Sequence, residues 1–273
     1  MDRTTLQNIA GHSDSGPFVG LSVMVGVPCY KDMPALTAKS LIVTIASLQR
    51  NNVQWHLQME IGSALVHHAR SKIVQSFIES DCTHLMWIDA DMVWQADDIL
   101  RLLLIGKALD CVSAGYREKN DTGSFQVELD IRNGQVEAND LGCVPIKSAG
   151  LGFTMMSRKL VKALYEDAEK TRFFGRPEES RYVFRLENTE HGAGGEDILL
   201  FHDIHRLGFQ TWLDPTIALG HIGTKIYNGR VGDAFRLVDG TAGGEAKAEE
   251  PGGANHGPDR HNGSGEVGVP ASI

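Results

Sequence analysis

The stretch Thr83-His84-Leu85-Met86-Trp87-Ile88-Asp89-Ala90-Asp91-Met92 constrains this chain more than any other. Leu85 to Ile88 form an apolar run of the length that suits a strand buried on both faces, the central strand of an α/β sheet. Asp89 and Asp91 follow at once. Carboxylates are costly inside a core without partners, so the strand must end where water and ligand can reach it. Hard Mg²⁺ and Mn²⁺ ions prefer oxygen ligands and often share them with phosphates. Residues i and i+2 point the same way on a strand, so the spacing lets Asp89 and Asp91 face one cation.

Upstream, Leu21 to Pro28 alternates as a strand and stops at Pro28, ahead of Cys29, Tyr30 and Lys31. Tyr30 is placed either to stack on a base or to pack on the rim. Ala35 to Asn51 reads as a helix with apolar residues at Leu36, Ile42, Val43, Ile45, Ala46 and Leu48, and Val53 to Ile61 as a second strand, which together predict a parallel crossover. Ala64 to Ser80 reads as the next helix, with Ser63 as its N-cap. Val66, Ala69, Ile73 and Phe77 fall in one arc of that helix, and Arg70 falls among them. A guanidinium on a buried face needs an anion. The candidates are a core carboxylate, Asp89 or Asp91, and a ligand phosphate; one arginine can serve both. His67 and His68 lie off the centre of that face and are expected at the rim.

Downstream, Trp94 to Asp110 is expected to be a helix with Asp97 and Asp98 in its first turn, and Cys111 to Tyr116 a strand. Short alternating stretches around Asn133-Gly134 predict a small antiparallel region. In Ser148-Ala149-Gly150-Leu151-Gly152-Phe153, glycine permits either close backbone approach or a bulge. Ser157 to Lys170 follows as a helix. Thr171 to Gly192 is polar, and its four arginines (Arg172, Arg176, Arg181, Arg185) suit a solvated surface or an acceptor loop. Flexible glycines then deliver Glu196 and Asp197 to the start of a helix reaching about Leu207, where acids are stabilised by roughly 0.3–1 kcal/mol. Two short strands follow, then His221-Ile222-Gly223.

In this order the motifs resemble the A-type (GT-A fold), nucleotide-sugar-dependent glycosyltransferases, in the manner of small phage or bacterial family-2-like members. The resemblance spans roughly Leu21 to Tyr227. It implies an α/β fold with a mainly parallel sheet flanked by helices and a small antiparallel part. It implies transfer of a sugar from a nucleoside-diphosphate sugar to an acceptor hydroxyl on a glycan, a protein or a modified nucleic-acid base, with inversion as the first expectation and retention left open. Asp197 is implied as the base and Glu196 as an acceptor contact. Pro28, Cys29, Tyr30, Arg70, Asp89, Asp91, Gly150 and Gly152 are implied around the donor. Asp89, Asp91 and His221 are implied as ligands of Mn²⁺ or Mg²⁺. Two rivals stand beside this reading: a nucleotidyltransferase, and a nucleotide-sugar-binding module without turnover.

Other features bound these readings. A net charge of −9 and a pI near 5.6 disfavour a broad nucleic-acid surface. No apolar run approaches the roughly 18 residues of a membrane span. Residues 1–17 lack a signal-peptide core and read as a flexible tail; 18–238 form the expected transferase domain. The Gly-rich stretch 239–273 has few large apolar residues and is expected to be disordered. Four cysteines without a Cys-x-x-Cys pair read as reduced thiols of a cytoplasmic protein.

Overall fold

A computed structural model describes residues 4–7, 16–172, 180–189 and 192–235. The first half of the chain runs β1 (Thr4–Gln7), β2 (Ser22–Cys29), α1 (Ala35–Arg50), β3 (Gln54–Ile61), α2 (Val66–Glu79), β4 (His84–Ile88), β5 (Met92–Val93), α3 (Ala96–Ile105) and β6 (Cys111–Ser113). Then come β7 (Val127–Leu129), β8 (Val144–Ala149), β9 (Phe153–Ser157), α4 (Arg158–Asp167), β10 (Lys170–Thr171) and β11 (Ser180–Arg181). The last described elements are β12 (Glu187–Thr189), β13 (Gly192–Gly194), α5 (Glu196–Arg206), β14 (Trp212–Leu213), β15 (Leu219–Ile222), β16 (Ile226–Gly229) and a short 3-10 turn, Val231–Ala234.

The central sheet has nine strands in the order β1-β3-β2-β4-β9-β6-β14-β8-β7. Its pairings make β3, β2, β4, β6, β14 and β7 run one way and β1, β9 and β8 the other. The fold is therefore α/β with a mostly co-directional sheet and smaller antiparallel pieces, as expected. The tail reading of residues 1–17 needs one correction. Thr4–Gln7 adds an antiparallel edge strand to β3, whose open edge offers unpaired backbone groups to any extended segment nearby. The stretch 239–273 lies outside the described residues, as do 173–179 and His191. Among the described residues no helix is long and apolar enough to cross a membrane.

Strand alternation sorts the core into two layers. Val23, Val25 and Val27 of β2 and Met86 and Ile88 of β4 pack towards α1 and α3, against Leu41, Leu48, Ile99 and Leu102. Met24, Leu85 and Trp87 point the other way, into a cluster with Ile73 and Phe77 of α2, Leu160 of α4 and Phe201 of α5. Every residue of β4 is buried, which accounts for its unbroken apolar run. This parity matters for the site. Continued by one residue, the Leu85–Trp87 face reaches Asp89, on the side of α2 and α5.

Two helix details depart from the sequence reading. The N-cap of α2 is Leu65, and the Ser63 hydroxyl donates to the Leu65 carbonyl instead of capping the helix. Helix α1 buries Thr37, Ser40, Thr44 and Ser47 while leaving Leu36, Ile42 and Val43 exposed. Two of these hydroxyls, on Ser40 and Thr44, meet the segment following Asp91. The Ser40 hydroxyl donates to the Trp94 carbonyl at 2.9 Å, and the Trp94 indole N–H donates to the Thr44 hydroxyl at 2.8 Å. Together they hold the chain where it leaves the end of β4. Leaving a buried donor unpaired costs about 1–3 kcal/mol. Thr44→Val is expected to lower the unfolding free energy by about that amount, and Thr44→Ser to recover most of it, as read by urea denaturation.

Candidate active site

Arg70, on the inward face of α2, is 3% exposed. Its Nη2 donates to Asp89 at 2.9 Å and its Nη1 to Glu196 at 3.1 Å; Nη1 also donates to Asp197. The sequence expectation of a core carboxylate is met at Asp89, and the two acids of α5 join it. Strand parity turns Asp89 towards α2, and the start of α5 brings in its first two residues. Burial by itself lowers the pKa of Arg70, but Asp197, Asp89 and Glu196 outweigh it and hold the guanidinium charged. Asp197 moves upward: burial leads, the Arg70 charge opposes it, and Asp89 and Glu196 add to it. The Leu151 N–H donates to Asp197 Oδ2 at 3.2 Å, and Arg70 to Oδ1. A carboxylate oxygen carries two lone pairs, so both oxygens retain capacity for a further proton donor.

Asp91 has a separate environment. The strand ends at Ile88, and a turn closed by the Met92 N–H to the Asp89 carbonyl (3.2 Å) interrupts the alternation that would have aligned the two aspartates. Asp91 faces Lys119, which donates to its Oδ2, and His221, whose Nε2 lies 3.6 Å from its Oδ1. The cause is strand pairing: β15 runs antiparallel to β5 with His221 opposite Met92, and the Ile222 N–H donates to the Asp91 carbonyl at 2.9 Å. His221 Nδ1 lies 2.8 Å from the Arg117 carbonyl, which can only accept, so Nδ1 carries the hydrogen. In the neutral ring the Nε2 lone pair then faces a carboxylate oxygen. Two acceptors so placed suit a shared cation, and a backbone carbonyl behind the imidazole is the usual support for a metal-binding histidine.

Of the residues expected to form one metal set, the structure thus joins Asp91 with His221 and commits Asp89 to Arg70. Among the described residues no three His, Cys, Asp or Glu side chains gather as a metal cluster. Charge does favour a cation. Asp89, Asp91, Glu196 and Asp197 share Arg70 and Lys119, which leaves two negative charges over when all are ionised. A divalent ion near Asp91, or a proton on Asp197, relieves the excess.

The remaining expected donor residues fall into two groups. Pro28 and Cys29 end β2; the Cys29 side chain is 4% exposed and packs in the core, leaving its backbone, already bonded to Gly62, at the strand end. Tyr30 is 54% exposed, with Lys31 over its ring, in position to meet a planar ligand. The space beside Gly150 and Gly152 belongs to Tyr116: a Cβ at Gly150 would lie 2.0 Å from the phenol oxygen and one at Gly152 2.9 Å from the ring. Those glycines admit a tyrosine, where the sequence reading had placed the donor. His67, expected at the rim, is buried.

Tyr116 and Lys119 were not singled out from sequence. The Gly152 N–H donates to the Tyr116 hydroxyl at 3.3 Å, and the ring stands edge-on to His221 with centroids 4.9 Å apart. Burial, then Asp89 and Asp197, push the phenol pKa up, which keeps it protonated beside the acids. Its signal in the sequence was only an aromatic residue at a strand end. Lys119 had no signal; a hairpin-like loop brings it to Asp91.

No protein-family model matches this sequence, and no curated protein matches it. Among solved structures, a protein from STIV is similar over 74% of this chain and 86% of its own, at 16% identity and a TM-score of 0.47. A glycosyltransferase involved in glycosylation of the major capsid of PBCV-1 is similar over 52% of this chain and 62% of its own, at 10% identity and a TM-score of 0.30. The 4-diphosphocytidyl-2C-methyl-D-erythritol synthase of Anaerococcus prevotii is similar over 70% of this chain and 98% of its own, at 10% identity and a TM-score of 0.32.

Removing one member of a buried ion network strands the charges it held, at a cost of about 3–5 kcal/mol. Arg70→Met is expected to lose about 3 kcal/mol of stability near pH 7. The stranded acids then have folded pKa values above their unfolded ones, so the variant's deficit is smallest below the unfolded values and grows as pH rises through the folded ones. Denaturation midpoints of variant and wild type, measured between pH 4 and 8, check both size and sign; a deficit that shrinks with rising pH contradicts the assignment.

Proposed function

We propose that this protein transfers a sugar from a nucleoside-diphosphate sugar to an acceptor hydroxyl. The observation that carries the reading is the meeting, on one buried guanidinium, of the first acid after the central strand with both acids that open α5. Acids from distant parts of the chain converge at the carboxyl end of β4, where open α/β sheets place their ligands.

In this reading Asp197 takes the proton of the acceptor hydroxyl. A base works best with a pKa drawn towards the working pH, and burial moves Asp197 in that direction. Arg70 and the Leu151 N–H fix the orientation of its carboxylate. Glu196 lies beside it on the same guanidinium and is suited to a second acceptor hydroxyl. Tyr30 offers an exposed ring to the base of the nucleotide. Asp91 and His221 would hold Mn²⁺ or Mg²⁺, with Asp89 alongside; the ion, when bound, neutralises the diphosphate as it leaves. Lys119 donates to Asp91 Oδ2, the oxygen away from His221, and its charge would also suit a donor phosphate. The in-line geometry that a base at Asp197 serves leads to inversion at the anomeric carbon.

Asp197→Asn is expected to retain nucleotide-sugar binding and to lower kcat by about 10²–10⁴-fold, the range for loss of a general base. In the wild type, kcat/KM should fall as pH drops through a pKa above 3.8, the ordinary value for this side chain, because the base must be unprotonated. An acid limb at or below that value contradicts Asp197 as the base.

Metal and donor are tested together by thermal stabilisation against a panel of nucleoside diphosphates and their sugars, with Mn²⁺ and with chelator. A ligand at a hundredfold excess over its Kd stabilises by about 2.7 kcal/mol. Asp91→Ala and His221→Ala should each remove the metal-dependent part of that shift. Product analysis then decides the reaction. Release of a nucleoside diphosphate supports sugar transfer, release of pyrophosphate replaces it with nucleotidyl transfer, and binding with no turnover replaces it with a binding module.

A further inference from the structure

A second pocket opens beside the loop that carries Lys119. It has a volume of about 600 Å³. The loop is closed like a hairpin: Arg117 bridges to Phe125, the Glu118 N–H donates to the Ser124 carbonyl at 3.0 Å, and the Gln126 N–H to the Tyr116 carbonyl at 2.9 Å. The pocket wall includes Arg117, Thr122, Ser124, Phe125 and Arg230.

Arg117 is the unusual member. Its side chain is half-buried, and among the described residues it makes no ion pair. Its guanidinium lies over the Phe125 ring at 5.0 Å, Nη1 donates to the Gly123 carbonyl at 2.9 Å, and Nε is buried with no hydrogen-bond partner. The backbone is shaped around it: a Cβ at Gly123 would lie 2.5 Å from Nη1, and one at Gly229 2.5 Å from Nε. A charge fixed this firmly has lost hydration without gaining a counter-ion. The acids on the same wall are already occupied. Glu118 accepts from Asn120 (2.6 Å) and Ser124 (2.8 Å), and Asp233 pairs with Arg230 at 3.3 Å.

We propose that this pocket binds a phosphate-type oxyanion between Arg117 and Arg230. A planar guanidinium held in place is the group best matched to such an oxyanion. The pocket also reports on the first site, because the Arg117 carbonyl holds the His221 ring and Lys119, two residues on, holds Asp91. An anion seated on Arg117 therefore sits next to the segment that orients both. The oxyanion site itself stands apart from the sugar-transfer reading; its assignment to one substrate of that reaction rests on that reading.

The test is a titration of the full chain with inorganic phosphate at constant ionic strength, followed by backbone amide NMR. Saturable shifts are expected at residues 117–125 and 230–234. Arg117→Gln should weaken phosphate by about tenfold or more, as for loss of a charge-assisted contact, and Arg230→Gln should weaken it measurably. Arg230 is half exposed, so its variant is expected to fold even where the Arg117 variant does not. Shifts confined to other segments, or undiminished phosphate affinity in either folded variant, overturn the proposal. Adding a nucleoside diphosphate separates the two sources of such a group. Displacement of phosphate from these signals assigns the pocket to the donor, and simultaneous occupancy assigns it to an anionic acceptor. No turnover is needed for any readout, so a negative result here and a failure of sugar transfer are told apart.

Discussion

One guanidinium organises the carboxyl end of the central strand in this molecule. Arg70 is nearly inaccessible and is bound by three carboxylates from two other elements. A single positive charge cannot neutralise three negative ones, and removing it strands all three. The arrangement is poor as a stabilising device, since a well-packed apolar residue in place of a buried ion network is often neutral or better for stability. Its features make sense when it is seen as positioning. The guanidinium fixes the angle at which α5 meets the end of β4, and it holds a carboxylate with an upward-shifted pKa in one orientation.

The second arm of the site depends on the first strand break. Had β4 continued through Asp91, both aspartates would have faced α2 and α5, and the excess of negative charge there would have been larger still. The turn after Ile88 instead sends Asp91 to the small sheet of β5, β15 and β16, where His221 and Lys119 meet it. The two aspartates thus have different surroundings: Asp89 meets the buried Arg70, and Asp91 meets Lys119 and His221. The seam of Ser40, Thr44 and Trp94 holds the chain just beyond this break, which is why α1 buries hydroxyls on its inner face.

Much of this was legible in the sequence, for identifiable reasons. The continuous apolar run of β4, the helical arc of α2 and the acids that open α5 are local patterns, and each appears where the sequence puts it. Arg70 was readable because a charge inside an apolar arc is a contradiction that only a partner resolves. What was not legible depended on tertiary pairing. Nothing near Asp91 announces that β15 will lie beside β5, so His221 was assigned to both aspartates when it reaches one. Gly150 and Gly152 signalled close approach correctly, but glycine does not say what approaches; the occupant is Tyr116, more than thirty residues earlier. The apolar residues of α1 misdirected for a related reason, since helical hydrophobicity does not register a hydroxyl seam whose partners lie on another element.

The loop from Tyr116 to Gln126 links these observations. Its first residue fills the space beside the two glycines, its second supports His221 through a carbonyl and carries the guanidinium of the second pocket, and its fourth reaches Asp91. Four consecutive residues therefore touch both arms of the site and the neighbouring cavity. The loop that carries these contacts is closed by its own backbone hydrogen bonds. Arg117 reaches both places at once: its side chain lines the cavity and its carbonyl accepts from the His221 ring. The same closure accounts for the place of Arg117 over Phe125, where among the described residues it has no counter-ion.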